Sequence, residues 1–164
     1  MASFSMTMEV DAQGVVVASC EGVFDAAQWV RQRREGFESR YPLEAYDGRP
    51  VVTDLRHCRL PAGDWAQQFK AVADDMKHRR RKPFRRALIV GGELGIELAV
   101  ALFAEYQMIF HHPEVETRAF RDYDQGYAWA HAVLADETAP AETTKAETTK
   151  APEPRGLRSD PPSR

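Results

Sequence analysis

The sequence predicts an α/β fold built on a mixed sheet, with the element order β-β-α-β-α-β-α-β-α. Three observations predict it. Short strand-like runs at residues 51–55, 87–90 and 115–120 alternate with longer stretches whose apolar residues recur at helical spacing. Two further strand-like runs, at 6–10 and 15–20, stand together at the start, separated by the turn Asp11-Ala12-Gln13-Gly14. Three of the helical stretches open on the same cap, Asp-x-x-Gln, whose aspartate accepts from N–H groups that the first helical turn leaves open. Strands alternating with helices imply parallel pairing through right-handed crossovers, here after an antiparallel hairpin.

Each element has its own reason. Met6, Met8 and Val10 alternate with polar residues, as in a half-buried strand, and residues 15–20 pair with them. Asp25 caps the first helix. Its inward stripe is Val30, Phe37 and Tyr41, helped by Trp29, and Pro42 ends it. Asp47-Gly48 turns the chain into the third strand, 51–55. Asp64 caps the next helix, with Trp65, Phe69, Val72 and Met76 at helical spacing, and Pro83 stops it after a basic run. The fourth strand ends in Gly91-Gly92 and leads to a helix, about residues 95 to 110, that is apolar on most sides. The last strand carries Val115, Thr117 and Ala119 on one face and Phe120 on the other. Asp122 then caps a helix with Tyr127, Trp129, Ala130, Val133 and Leu134. From Asp136 no aromatic residue occurs, half of the ten prolines gather, and Ala-Glu-Thr-Thr-Lys appears twice. Such a composition cannot bury enough apolar surface to offset ordering, so one domain is expected at 1–135 and a disordered tail at 136–164.

The chain has 164 residues, enough for one domain that folds without metal or disulfide. Its net charge of -3 argues against nucleic acid as a partner. Two cysteines, and a first ten residues without a basic and apolar leader pattern, suit a cytoplasmic setting. The longest apolar stretch contains Glu97, Glu105 and Gln107 and is shorter than the roughly 20 residues of a membrane span, so no transmembrane segment is expected.

No cofactor, metal site or catalytic residue is expected either. The turn Gly91-Gly92-Glu93-Leu94-Gly95 fits neither the dinucleotide nor the P-loop spacing. His111, His112, Glu114 and Glu116 flank a proline that breaks any shared face. His57 and Cys58 are strand neighbours, whose side chains point apart. Asp54, at the end of a central strand, is expected to hold its loop by accepting hydrogen bonds. The sharpest charge feature is the basic segment containing Arg79, Arg80, Arg81, Lys82, Arg85 and Arg86. It is a candidate site for an anionic group, next to the apolar helix.

Three stretches resemble the STAS / SpoIIAA-like family, especially its small bacterial single-domain members. They are Pro50-Val51-Val52-Thr53-Asp54-Leu55, Arg86-Ala87-Leu88-Ile89-Val90-Gly91, and the run from Val115 through Phe120 and the acidic cap Asp122 to Trp129. The resemblance extends over residues 4–135. It implies a SpoIIAA-like sheet with helices mainly on one face. It also implies a non-catalytic regulatory or protein-interaction module that binds a protein partner or a second copy of itself. In the family's anti-sigma-factor antagonists an Asp-Ser pair follows the third strand, and the serine is phosphorylated. Here that region reads Leu60-Pro61-Ala62-Gly63-Asp64, with no Ser or Thr from Arg56 through Met76. The phosphate switch has no hydroxyl, and Asp64 places a permanent negative charge near its position. The alternative is a domain that binds a small anionic or amphiphilic ligand, such as a lipid, in an apolar pocket with a basic rim.

Overall fold

A computed structural model gives the fold and describes residues 3–63, 65–76, 82–92, 94–106 and 114–138. Five strands form one sheet in chain order: β1 (Ser5–Val10), β2 (Val16–Val23), β3 (Val51–Arg59), β4 (Phe84–Ile89) and β5 (Val115–Phe120). β1 and β2 pair antiparallel, and every later pair is parallel. Asp11 makes the hairpin turn, its Oδ1 accepting from the N–H groups of Gln13 and Val15, both at 2.9 Å. The side-chain pattern places the ends of β2 at Cys20 and β3 at Leu55, but both run further. Glu21, Gly22 and Val23 lie opposite His57, Cys58 and Arg59, so each strand supplies the backbone partners of the other. Gly22 allows this with a φ of 88°, where an added Cβ would sit 2.4 Å from the Ser3 carbonyl oxygen.

The crossovers carry α1 (Ala26–Gln32), α3 (Trp65–Met76) and α4 (Leu94–Tyr106), which share one face of the sheet. Asp25 caps α1 as expected, accepting from the Gln28 N–H at 2.9 Å. The expected single helix up to Tyr41 is instead α1 followed by a π-helical stretch, Arg33–Glu38, with the Ser39 N–H on the Arg34 carbonyl at 3.1 Å. After Pro42 a short α2 (Leu43–Tyr46) buries Tyr46 against Phe37, ring centres 5.0 Å apart. The sequence reading has no helix there, because four residues carry too little periodicity to register.

α5 (Tyr123–Thr138) lies on the opposite face, over Val52, Ala87 and Ile89, and runs past the composition change at Asp136. Its cap is Asp122, which accepts from the Gln125 N–H at 2.8 Å. Gly126 lets the helix approach closely: an added Cβ would lie 2.4 Å from Ile89 Cδ1. Next to it Tyr127 donates to Asp11 Oδ2 at 2.5 Å. Burial draws the Asp11 carboxyl upward, but the bonds from Tyr127, Val15 and Gln13 outweigh it and hold it below its ordinary value. Among the described residues no helix is long and apolar enough to cross a membrane. Residues 139–164, where the tail is expected, lie outside the described residues.

Candidate ligand site

Between the sheet and the three-helix layer is a partly open cavity of ≈ 60 Å³. Its floor is the helix-facing side of the strands, with Ala18, Thr53, Leu55 and Leu88. Its roof comes from Trp29, Phe69, Val72, Met76 and Phe103. Two arginines also line it, Arg33 from the π-helical stretch and Arg86 from β4. Arg33 is 1% exposed and Arg86 6% exposed, a degree of burial that charged side chains seldom reach without partners.

Arg33 has such partners. One guanidinium nitrogen is paired with Asp75, Nε lies 3.4 Å from Glu38, and the group stacks on Trp29 with its carbon 4.9 Å from the ring centre. Asp75 also holds Arg34 at 2.5 Å. Burial favours the protonated acid, but the two arginines override it and keep Asp75 ionised below its ordinary value of 3.8. Arg86 lies between rings, 5.2 Å from the Phe84 centroid and 5.5 Å from that of Phe103, with a nitrogen 3.8 Å from Met76 Sδ. Among the lining residues, Arg33, Arg86, Thr53 and Trp29 carry side-chain hydrogen-bond donors, and the rest are apolar.

The basic segment is divided by the pleat. Neighbours on β4 face opposite ways, so Arg86 enters the cavity while Arg85 goes to the α5 side. There Arg85 donates to the Trp129 carbonyl at 3.2 Å, stacks on that indole at 5.3 Å and lies 3.4 Å from Glu116. Lys82 is exposed, and its backbone N–H donates to Asp47 at 3.0 Å. Arg79, Arg80, Arg81 and Asp64 lie outside the described residues. The sequence reading passed over Arg33. Its signal was positional: it falls inside the apolar stripe between Val30 and Phe37, at a place a surface arginine would not occupy.

Asp54 accepts from the Arg56 N–H at 3.0 Å and from the Arg56 guanidinium at 2.9 and 2.7 Å. These bonds outweigh the upward pull of burial and hold the carboxyl below its ordinary value. Cys20 and Cys58 are both buried. A hydrogen bond between them, together with burial, pushes the Cys20 thiol well above its ordinary value of 9.0. His57, beside Cys58, is exposed, so the two side chains point apart as expected.

Outside the cavity, between α3 and α4, a groove of ≈ 240 Å³ is lined by Trp65, Ala66, Lys70, Ala99 and Leu102. Phe69 and Phe103 line both spaces. On the same helix Leu98 is 53% exposed and Leu102 46%.

Comparison with known proteins adds the fold and nothing finer. No family model matches the chain, and no curated protein matches it. Among solved structures it is similar to an uncharacterized protein of the DUF3478 family with a SpoIIAA-like fold, from Shewanella loihica PV-4. The identity is 15% and the TM-score 0.51, with 79% of this chain and 98% of that chain covered. The hairpin, the parallel strands in chain order and the helices gathered mainly on one face are thus those of a SpoIIAA-like, STAS-type fold.

Proposed function

We propose that this chain is a non-catalytic, cytoplasmic STAS-type module that works by binding a small ligand with an apolar body and an anionic group. One observation carries the reading: two buried guanidinia from different elements line a cavity that is otherwise apolar. Arg33 and Arg86 together bring two cationic side chains to one otherwise apolar lining, the composition of a site for a small ligand with an apolar body and an anionic group. The non-catalytic part is supported by the state of the candidate groups. Cys20 is held as a thiol, and Asp54 is committed to Arg56.

The test is a thermal-shift series. Butanoate and hexanoate are expected to raise the melting temperature in proportion to the logarithm of concentration, while butanol and hexanol leave it unchanged. Arg86→Met is expected to lose the response. Acids that give no shift at millimolar concentration would remove this reading.

A second reading is favoured by Leu98 and Leu102, which expose large apolar side chains on the outer face of α4. It is the protein-interaction module, with α4 meeting a protein partner or a second copy of the chain. Sedimentation velocity checks the self-association form. A dimer abolished by Leu98→Lys supports it, and a monomer at 100 μM (a concentration chosen to reveal weak dimers, roughly Kd 10 μM) counts against it.

A further inference from the structure

The two edges of the sheet are finished differently. An edge strand leaves every second residue with an N–H and a C=O that no neighbouring strand answers. On β1 side chains answer them. The Met6 N–H donates to Gln32 Oε1 at 2.6 Å, Gln32 Nε2 donates to the Phe4 carbonyl at 3.3 Å, and Arg40 donates to the Met8 carbonyl at 3.0 Å. Another strand adds there only by displacing both side chains. At the other edge, β5 pairs with β4 alone among the described residues. The Phe120 carbonyl accepts from the Val90 N–H at 2.8 Å, so the main-chain groups of Glu116, Arg118 and Phe120 turn toward β4. Those of Val115, Thr117 and Ala119 turn to the open side.

We infer that β5 docks on β5 of a second copy of the chain, antiparallel about a two-fold axis at Thr117, joining the two sheets into one. Charge and backbone direction select this register together. Antiparallel strands bond where outward residue meets outward residue, which allows axes at Glu116, Thr117 or Arg118. An axis at Glu116 sets it against the partner's Glu116, and one at Arg118 sets it against the partner's Arg118, both like-charge pairs. The axis at Thr117 sets Glu116 against the partner's Arg118 twice, in the closely spaced pairs between the hydrogen-bonded ones. The bonded pairs, one at Thr117 and two between Val115 and Ala119, then exchange about six main-chain hydrogen bonds. Within one chain Arg118 already lies 2.5 Å from Glu116 and 5.0 Å from the Trp129 ring centre, and Arg85 is 3.4 Å from Glu116. Docking does not need these groups free. The Glu116 and Arg118 side chains are 45% and 57% exposed, so their pair contributes little in water, and a second copy encloses it in a cluster of both signs. The two-fold uses up both β5 edges and the β1 edges are covered, so assembly stops at two. This surface is neither the cavity nor the outer face of α4, so the inference stands apart from both readings above.

Sedimentation velocity on the full chain from about 1 to 100 μM tests this, with circular dichroism to check the fold of each variant. Wild type is expected to show a monomer–dimer equilibrium. Glu116→Arg and Arg118→Glu each create two like-charge pairs across the axis, and each alone is expected to weaken the dimer about tenfold. Mixed in equal amounts, the two variants are complementary across the axis. A heterodimer within about threefold of wild-type affinity is expected. Pairing inside one chain cannot give that recovery, because each variant carries a single sign at both positions. Thr117→Pro removes an outward N–H, leaves the bonds to β4 in place, and is expected to leave a folded monomer. Leu98→Lys, on α4, is expected to change nothing. A wild type that stays monomeric at about 100 μM, a mixture that stays dissociated, or a folded Thr117→Pro that dimerises like wild type overturns the inference. A dimer abolished by Leu98→Lys and indifferent to the charge reversals also overturns it, and places self-association on α4.

Discussion

Arg33 is a cation placed in the core and held there by an ion-pair network. Asp75 bridges it to Arg34, and Glu38 approaches from the side. Removing one partner of such a pair leaves a buried charge uncompensated. Asp75→Asn is expected to cost about 2–3 kcal/mol at pH 7, at or below the low end for buried pairs because Glu38 remains. Urea denaturation measures it. The pH dependence follows from the same carboxyl. Its folded value lies below its ordinary 3.8, so the unfolded chain binds more protons in acid. The stabilisation is complete above about pH 4 and is lost as the pH falls through the folded value. The gap between wild type and Asp75→Asn is therefore expected to narrow on acidification from pH 5 to pH 3. A constant gap would mean that Asp75 acts through shape and not through charge.

At the scale of elements, α5 shows how close packing overrides intrinsic preference. Replacing glycine by alanine inside a helix ordinarily gains about 1 kcal/mol. At Gly126 the new methyl would lie 2.4 Å from Ile89 Cδ1 and 3.2 Å from the Phe120 ring, in a layer where Ile89 is fully buried. Overpacking of this kind costs about 1–3 kcal/mol. Gly126→Ala is expected to lower stability by about 1–2 kcal/mol, read as a shift in the urea midpoint with an unchanged slope. Elements governed by side-chain alternation and caps were legible in the sequence: the hairpin, the central strands, and the starts at Asp25 and Asp122. Elements governed by the backbone of a neighbour were not. The end of β3 carries exposed Arg56 and His57, and only pairing with β2 makes it a strand. The π-helical stretch was hidden for a related reason, since its wider turn shifts the register that a period of 3.6 assumes. The cavity arose from both effects. Arg86 was legible as basic, but its separation from Arg85 depends on the exact register of β4, and Arg33 shows in the sequence only through its position in the stripe of Val30 and Phe37.

At the scale of the molecule, the boundary expected from composition leads to a direct trial. A chain ended after Thr138 is expected to melt within about 1 °C of the full chain, since the repeat-bearing segment beyond has little apolar surface to contribute. Differential scanning calorimetry of the two proteins checks it; a drop of several degrees would show that the tail packs on the domain. The order of the sheet has a further consequence for synthesis. Its strands lie side by side in the sequence in which a ribosome makes them, so each strand after β1 finds its partner already outside the exit tunnel. The three-helix layer closes progressively in the same way. The other face does not: Val52, Ala87 and Ile89 have no cover until α5 is released, and the Tyr127–Asp11 bond joins the last helix to the first turn. A nascent chain stalled before residue 123 therefore carries an open apolar face, and it is at that stage of translation that the protein most needs a chaperone.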